Sequence, residues 1–427
     1  MRAPAVRNAV SRLKTRSRAR LAAAAALLAL AGLAVVLLSG MTASGAVLGS
    51  AHQRRDARLQ RLNEPAYKQP HIRHVWVIML ENEDYASTFG EPASDPYLAQ
   101  TLPSEGALLE EYYATGHESN DNYISIVSGQ PPNPQNQADC QLFSEFVAIG
   151  TQPDGVAEGD GCVFPSSVEN IGTQLTARKL KWKAYEEDMG NNPNREAAAC
   201  GHPALASKDE TQDAEEGDGY AARHDPFVYF ESVIGNQTYC DEHVVALGSP
   251  TGVMPAAALR HETGLVTDLS KAEKTPNFSF ITPNLCNDGH DYPCKNQPSG
   301  ASALADIDTF LETWVPKITS SPAFLRNGLL EITFDESDGA QSDSSACCGE
   351  TSTSDPNSPA PGITGPGGGK IGAILISPFI KPGTVTTTPY NHYSSLASWE
   401  SLFGLPRLAD ATTVPAIFGA DVFTNAK

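Results

Sequence analysis

Two short apolar runs in this 427-residue chain end directly in acidic or amide side chains. The run His74–Leu80 is followed by the pair Glu81–Asn82, and the run Leu329–Phe334 is followed by the pair Asp335–Glu336. Continuous apolar runs of this length are typical of strands that are buried on both faces of a sheet. In parallel sheets, ligands bind beyond the carboxyl ends of the strands. The sequence therefore predicts a buried sheet with a polar site where these two strands end.

Further apolar runs extend this pattern, at residues 180–185, 277–282 and 371–377, and all five runs are interpreted as buried parallel strands. Helical patterns lie between them, most clearly at residues 302–314 and 393–403. This alternation indicates an α/β fold with a largely parallel central sheet and helices on both faces. The polar stretches at residues 129–165, 191–224 and 337–369 predict long loop insertions.

The first 40 residues have the pattern of an export signal. Seven basic residues and no acidic residue lie within residues 1–20, and an apolar stretch from Leu21 to Leu38 follows. Its 18 residues are consistent with a cleaved signal peptide or with a retained membrane anchor, and the small residues at 41–46 favour cleavage. We predict a signal at residues 1–40, a polar linker at 41–70, a single domain at 71–427 and a secreted or cell-surface location.

The exported part of the chain is strongly acidic. Beyond residue 40, 23 basic residues face 50 acidic residues, which gives a net charge of −27. Such a chain repels polyanions at long range, so nucleic acid is excluded as the main partner. An anionic substrate would need a locally positive site, and a metal ion supplies one.

Eight cysteines lie in the exported part, where disulfides are expected. No C-x-x-C pair is present, which argues against a zinc ribbon or a redox motif. We expect the adjacent Cys347 and Cys348 to bond to different partners, because neighbouring Cα atoms are too close for a relaxed disulfide. The sequence does not choose among the remaining pairings.

The pairs Glu81–Asn82 and Asp335–Glu336 carry the oxygen ligands that divalent metal ions prefer. Each pair alone is explained as well by a solvated acidic turn. If the two strands are neighbours, however, the four side chains can surround one ion, and an ion would offset the repulsion between their carboxylates. Calcium, magnesium, manganese and zinc all stay open.

Four other segments carry candidate site residues. Ser119 follows His117 at the start of a predicted helix, where it could attack a phosphoryl group or simply cap the helix. His290 stands beside Asp288 in a loop and could bind metal, hold phosphate oxygens or protonate a leaving group; a surface turn held by a disulfide is the alternative. The remaining two segments carry His392, which begins the last helix, and His224, which lies in a turn.

Five segments, in this order, resemble the phosphoesterase family, which unites bacterial phospholipases C with secreted acid phosphatases in the alkaline-phosphatase-like superfamily. The resemblance extends from about His74 to Pro406, and it is closer to the acid-phosphatase branch. Two departures are that HESNDNY lacks both prolines of the H-P-S-x-P-N-Y pattern and that Gly289 replaces a methionine. The segments are VIMLENEDYASTFG from Val77, HESNDNYISIVSG from His117, PNLCNDGHD from Pro283, TFDESDG from Thr333 and YNHYSSLASWESLFGLP from Tyr390.

The resemblance implies specific roles for these residues. Ser119 would be the nucleophile, coordinated to the same metal ion as the two acidic pairs, and residues 71–427 would form the catalytic domain. His290 is favoured as the general acid. The implied metal ligands are Glu81, Asn82, Asp335, Glu336 and Ser119, the implied catalytic histidines are His117, His290 and His392, and the implied substrate-binding residues are Asn122, Asp288 and His224.

The resemblance therefore predicts an exported, metal-dependent acid phosphatase that works through a phosphoserine intermediate on a small phosphomonoester. A phospholipase C that acts on phospholipid diesters is the nearest alternative. A non-catalytic binding protein of the cell envelope is the alternative from another class. A sulfatase is disfavoured because the chain has no C-x-P-x-R motif.

Overall fold

The computed structural model describes residues 67–90, 94–260, 262–294, 302–349 and 357–425. The predicted export signal and nearly all of the predicted linker lie outside these residues. The described residues from Lys68 onward belong to one compact unit, Lys68–Lys427. Among the described helices, none combines the length and the apolar character that are needed to cross a membrane.

An eight-stranded sheet forms the centre of this unit, with the strand order β8-β2-β7-β6-β1-β5-β3-β4. Strands β1, β5 and β6 are buried almost throughout, as their continuous apolar sequences predict. The strands are β1 (His74–Leu80), β2 (Ala107–Leu109), β3 (Trp182–Glu186), β4 (Val244–Ala246), β5 (Phe278–Thr282), β6 (Gly328–Phe334), β7 (Ala373–Ile376) and β8 (Thr384–Thr386).

The register between β1 and β6 positions the pairs Glu81–Asn82 and Asp335–Glu336. The strands are parallel neighbours, and Leu80 lies opposite Phe334 at their carboxyl ends. The residues that follow, Glu81 and Asp335, therefore leave the sheet side by side. This juxtaposition is the one that the sequence predicted.

All strands of the sheet run in one direction except β7, which is antiparallel to both of its neighbours. The prediction of a parallel strand at residues 371–377 is therefore wrong. Two consecutive parallel strands are joined by a crossover connection, which usually contains a helix. The described residues between β6 and β7 contain no helix. The apolar pattern of a strand that is buried on both faces carries no information on direction.

Helices flank the sheet, and both predicted helical patterns are confirmed. The long helix begins after Ser302, whose side chain accepts a hydrogen bond from Ala305 N, and the last helix is capped in the same way by Asn391. The α-helices are α1 (Leu102–Glu105), α2 (Ser119–Ser128), α3 (Ile171–Ala177), α4 (Glu231–Ile234), α5 (Gln237–His243), α6 (Leu265–Leu269), α7 (Ala303–Thr319), α8 (Pro322–Asn327) and α9 (His392–Phe403).

The predicted insertions are loops that carry a few short elements. Residues 129–165 form a small antiparallel hairpin, and short strands pair elsewhere outside the main sheet. The strand pairs are Tyr112–Tyr113 with Tyr390–Asn391, Leu142–Phe143 with Ser207–Lys208, and Val147–Thr151 with Ala157–Asp160. Single π or 3-10 turns lie at Ala86–Gly90, Tyr97–Thr101, Asn136–Ala138, Ala222–His224, Pro226–Tyr229 and Ala409–Thr412.

All eight cysteines form disulfides, as expected for an exported chain. The expectation for Cys347 and Cys348 is wrong, because these neighbours bond to each other across a Cα–Cα distance of 3.8 Å. The other six cysteines pair among themselves, so none is left as a partner for this loop. Those pairs are Cys140–Cys162, Cys200–Cys240 and Cys286–Cys294.

Candidate active site

Beyond the carboxyl ends of β1 and β6, the chain buries acidic side chains next to each other. Glu81 and Asp335 are completely buried, and Glu336 is 7% exposed. The backbone N–H of Asn82 donates to Oδ1 of Asp335 at 3.0 Å, which joins the two strand ends directly. The φ angle of Asn82 is 50°, a left-handed conformation that asparagine tolerates better than most residues.

Ser119 is the first residue of α2 and points at this cluster. Its Oγ donates to Oε2 of Glu81 at 2.8 Å, and the side chain is almost completely buried. The preceding residue, Glu118, has a φ of 80°, which is uncommon outside glycine and marks a strained turn into the helix. This end of α2 favours an anion, and the N–H of Asn120 in its first turn donates to Oδ1 of Asp139 at 3.0 Å.

Several buried polar atoms around Ser119 have no hydrogen-bond partner among the described residues. These atoms are Oε1 of Glu81, Oδ1 of Asn82, Oδ2 of Asp335 and Nε2 of His224. A buried polar atom without a partner costs about 1–3 kcal/mol, so four of them in one place indicate a group that they bind.

The donor set around these atoms fits a divalent metal ion. Glu81, Asn82 and Asp335 each offer an oxygen, and the ligand atoms of Glu81, His224 and His290 lie within 4.8 Å of one another. Carboxylate and amide oxygens with imidazole nitrogens are typical ligands of zinc, manganese and related ions. Of the ligands that the sequence predicted, Glu81, Asn82, Asp335 and Ser119 lie close to this cluster, with His224 and His290 in addition, whereas Oε2 of Glu336 is bonded to His117 and to the N–H of Glu118.

Burial dominates the electrostatics of the cluster. It raises the pKa of Glu81 well above its usual range, and the carboxylates of Asp335 and Asp288 raise this pKa further. Burial also raises the pKa of Asp335, although the N–H groups of Asn82 and Glu336 oppose the change. The described part of the site is therefore short of positive charge, which is the environment that a cation stabilises.

His224, which the sequence placed only weakly at the site, lies inside it. Its Nδ1 is 3.2 Å from Oδ2 of Asp288, and its Nε2 is 3.4 Å from Oε1 of Glu81. The ring stacks on Tyr123, with parallel planes and centroids 5.0 Å apart. Burial, together with the charge of Arg223, lowers the pKa of His224 well below its usual value, so the ring is neutral.

His290 lies at the mouth of the site and is accessible, since its side chain is 26% exposed. Its Nδ1 contacts Oδ1 of Asp291 at 2.7 Å, and its backbone N–H donates to Oδ1 of Asp288 at 2.9 Å. The guanidinium of Arg223 approaches Nε2 of His290 to 3.1 Å. The ring is therefore held by Asp291 on one side and by Arg223 on the other.

His117 lies behind Glu336 rather than in the centre of the cluster. Its Nδ1 contacts Oε2 of Glu336, and its Nε2–H donates to the backbone carbonyl of Asp343 at 2.8 Å. Burial lowers the pKa of His117. In this structure both ring nitrogens are engaged, so the ring fixes Glu336 against the loop that follows β6.

His392 lies behind Asp335. Its Nε2–H donates to the backbone carbonyl of Asp335 at 2.7 Å, and its Nδ1 is 3.3 Å from the hydroxyl of Tyr112. That hydroxyl is 2.7 Å from Oγ of Ser395, which in turn donates to Glu331 in the middle of β6. Burial lowers the pKa of His392 to about 4, so the ring is neutral and positions the backbone of Asp335.

Asn122 uses its whole amide group to hold the loop before Ser119. Its Oδ1 accepts from the N–H groups of Thr115 and Gly116, and its Nδ2 donates to the carbonyls of Gly116 and Glu118. The residue predicted to bind substrate therefore shapes the turn that presents Ser119.

Sequence reasoning missed one residue of the site, Arg223. It is 2% exposed, its Nη1 donates to the carbonyl of Gln212, and its Nη2 reaches His290. The carboxylates of Asp139, Glu81 and Asp288 raise its pKa against the opposing effect of burial. The available signal was an arginine immediately before His224 at the start of an apolar run, in a chain with few basic residues.

Comparison with known proteins gives one family. The sequence profile described as "Phosphoesterase family" matches residues 92–406, almost three quarters of the chain. The pair Glu81–Asn82 precedes the matched region, and the structure joins it to that region through the Ser119 and Asp335 hydrogen bonds.

Curated relatives are similar at low identity. A probable acid phosphatase of Kluyveromyces lactis is 23% identical over 83% of this chain and 64% of its own length. An acid phosphatase of Aspergillus fumigatus is 25% identical over 78% of this chain and 55% of its own length, so the chain spans less than two thirds of these relatives. A phosphatidylinositol-3-phosphatase of Mycobacterium tuberculosis is 22% identical over 82% of both chains. Among solved structures, a protein in the alkaline phosphatase superfamily from Vibrio parahaemolyticus has a TM-score of 0.44 and 14% identity, over 82% of this chain and 72% of that chain.

Proposed function

The chain belongs to the Phosphoesterase family, and we propose that it is an exported acid phosphatase that hydrolyses phosphomonoesters with Ser119 as nucleophile. The observation that carries this proposal is the contact of 2.8 Å between Oγ of Ser119 and Oε2 of Glu81, at the N-terminus of α2. A nucleophile beside a base and at an anion-binding helix end is the arrangement that phosphoryl transfer requires.

Glu81 is the group that takes the proton of Ser119. Its Oε2 accepts the hydrogen bond of the serine hydroxyl, which places the carboxylate to receive that proton. Oγ then bonds to phosphorus as the bond to the leaving oxygen breaks, which gives a phosphoserine. Water attacks this ester in the second half of the reaction, and Oγ recovers a proton as phosphate leaves.

His290 is the group that exchanges a proton with the leaving oxygen. It is accessible at the mouth of the site, Asp291 holds Nδ1, and Nε2 would exchange its contact with Arg223 for one with the leaving oxygen when the substrate binds. Arg223, at 3.1 Å from this nitrogen, is placed to hold a phosphoryl oxygen. His117 positions Glu336, and His392 positions Asp335, so both histidines act indirectly.

Glu81, Asn82 and Asp335 would hold a divalent metal ion through the oxygens that lack partners, with His224 and His290 at the edge of the same cluster. When bound, such an ion offsets the negative charge that develops on the phosphoryl oxygens. The family resemblance adds Glu336 and Ser119 to the ligands. The identity of the ion is left to metal analysis of the purified protein.

Export is the second part of the proposal. The basic and apolar order of residues 1–38 and the four disulfides support a protein that is delivered to an oxidising compartment. N-terminal sequencing of protein recovered from the medium is expected to begin after residue 40. Recovery only in the membrane fraction, with residue 1 present, would instead show an N-terminal anchor.

The decisive experiment compares two substrates. The purified protein is incubated with p-nitrophenyl phosphate and, separately, with phosphatidylcholine vesicles, before and after treatment with a chelator. We expect phosphate release from the monoester, loss of this activity with the chelator and recovery with an added divalent ion. Diacylglycerol release without monoesterase activity would overturn the proposal in favour of a phospholipase C.

A quenched reaction tests the covalent step. Acid quenching during turnover is expected to trap phosphate on the peptide that contains Ser119, which mass spectrometry detects. Phosphate on a different residue would contradict the assignment of the nucleophile.

A further inference from the structure

A second polar cleft lies far from the acidic cluster, at the amino end of β3. It has a volume of about 380 Å³ and is formed by the turn after α3, the start of β3, the end of α5 and the segment before β5. Parallel strands place their amino and carboxyl ends at opposite edges of a sheet, so the cleft and the Glu81 cluster lie on opposite edges. Its lining includes Lys179, Lys181, Trp182, Lys183, His243 and Lys274.

The charge of this cleft is opposite to that of the chain as a whole. The chain carries a net charge of −20, yet four of the six residues at positions 178–183 are basic. Lys183 is neutralised by Asp268 at 2.8 Å, and Glu242 adds one carboxylate to the lining. Three further lysines outnumber that carboxylate, so the cleft has an excess of positive charge.

The lysine side chains of the cleft differ in their hydrogen bonds and ion pairs. Nζ of Lys181 donates to the backbone carbonyl of Glu273 at 3.1 Å, which leaves its charge uncompensated. Among the described residues, no ion pair involves Lys179 or Lys274, and both are exposed. Three ammonium groups along one cleft, without an ion-pair partner in the described part of the chain, favour the binding of an anion there.

Lys179 stands at a position that normally favours glycine. It follows the end of α3 with a φ of 60°, and the N–H groups of Lys179 and Leu180 close the helix on the carbonyls of Thr176 and Leu175. A side chain in this left-handed conformation costs about 1–2 kcal/mol relative to glycine. Glycine adopts this conformation without that cost, so a change of Lys179 to glycine removes the ammonium group without straining the turn.

We propose that this cleft binds the phosphate group of a soluble or lipid-borne ligand, at a site separate from the one that contains Ser119. A phosphate group can accept hydrogen bonds from several ammonium groups at once, and its negative charge offsets theirs. The excess of two positive charges over the one unpaired carboxylate matches that ligand.

Hydrogen–deuterium exchange, followed by mass spectrometry, locates the ligand on the chain. Inorganic phosphate is one probe, and vesicles that contain phosphatidylglycerol are the other. We expect protection of the peptides that cover residues 176–183 and 271–276, in addition to any protection of the Ser119 peptide. Protection by phosphate identifies a soluble ligand, and protection by the vesicles alone identifies a lipid headgroup. No protection of these peptides by either probe would overturn the proposal.

The variant K179G separates binding from folding. Glycine removes the ammonium group and relieves the left-handed strain, so the unfolding temperature is expected to stay the same or rise. For the probe that protects the wild type, the concentration that half-protects the cleft peptides is expected to rise about tenfold. Hydrolysis of p-nitrophenyl phosphate is expected to stay unchanged. K274A is expected to behave in the same way.

The matched control is K208A, because Lys208 is an exposed lysine outside the cleft that pairs with Glu210. This variant is expected to bind like the wild type. Equal protection of the cleft peptides in K179G and the wild type, or a lower unfolding temperature of K179G, would show that Lys179 has a purely structural role and would contradict the proposal.

Discussion

Glu81 and Glu331 are both completely buried carboxyl groups, one just beyond β1 and the other within the neighbouring strand β6. Glu331 has a donor for each oxygen, since Ser395 Oγ donates to Oε1 and Trp399 Nε1 donates to Oε2. Glu81 has Ser119 as the donor to Oε2, whereas its Oε1 has no partner among the described residues.

This difference separates a structural carboxyl group from a functional one. Burial raises the pKa of both groups, to about 7 for Glu331 and well above the usual range for Glu81, where the carboxylates of Asp335 and Asp288 add to the effect. Both groups are buried, so the difference lies in Oε1 of Glu81, which lies together with the unpartnered atoms of Asn82, Asp335 and His224. The network of Glu331 is complete within the protein, whereas Glu81 and its neighbours need a ligand.

The largest effect is expected from the loss of the donor to Glu81. S119A removes the proposed nucleophile, so kcat for p-nitrophenyl phosphate should fall by at least about 10³-fold. Circular dichroism should show an unchanged fold. S128A, at the other end of the same helix, is the control and should retain activity. Full activity of S119A would show that Ser119 is not the nucleophile and that its hydrogen bond to Glu81 has no catalytic role.

The second prediction concerns Asp335, whose Oδ2 also lacks a partner. D335N keeps the size of the side chain but removes its charge, so activity and affinity for the divalent ion should each fall by at least about 100-fold. Metal titration of the purified variant measures the affinity. D338N, three residues further in an exposed position, should behave like the wild type.

The third prediction concerns Glu331 and is a change in stability rather than in chemistry. E331Q keeps the shape but gives the buried site an amide N–H without an acceptor, which should lower the free energy of unfolding by about 1–3 kcal/mol. Activity should fall less than in D335N, because Glu331 reaches Asp335 only through Ser395, Tyr112 and His392.

The same variant tests the pH dependence. Folding raises the pKa of Glu331 from 4.5 to about 7, so its protonated form contributes stability that is complete below 4.5 and is lost as the pH rises through about 7. The contribution changes by about 1.4 kcal/mol for each pH unit between these values. The unfolding temperature of wild type should therefore exceed that of E331Q most at pH 5 and least at pH 8. A difference that grows with pH would contradict the raised pKa.

The smallest effect is expected when Glu331 loses one of its two donors. W399F removes the Nε1–H that binds Oε2 and should lower the free energy of unfolding by about 1–2 kcal/mol. The monoesterase kcat should stay within about twofold of wild type, because distant sites are nearly independent. A loss of activity as large as that of D335N would show that the Glu331 network is part of the catalytic site.

Local patterns in the sequence were sufficient for the sheet and for its polar edge. The predicted runs at β1 and β6 and the acidic pairs that follow them are confirmed, and their register brings Glu81 next to Asp335. The direction of β7 and the bond between Cys347 and Cys348 were not predicted correctly. Each depends on which distant strands or cysteines already pair with one another, and only the folded chain decides that pairing.

The histidines show where the sequence stops being informative. His117, His290 and His392 all lie in segments that resemble the family motifs, and the resemblance favoured His290 as the general acid without a physical reason to separate it from the other two. In the folded chain, His290 is exposed at the mouth of the site, whereas His117 and His392 are buried behind Glu336 and Asp335.

The sequence by itself determined the α/β class and the residues that meet at the strand ends, because these follow from periodicity and from the geometry of parallel strands; the family followed from the resemblance of five motif segments. Only the tertiary structure decided which polar atoms stay without a partner, that Arg223 enters the site and that four lysines share one cleft. These features depend on contacts between segments that are distant in the chain, and no local pattern encodes them.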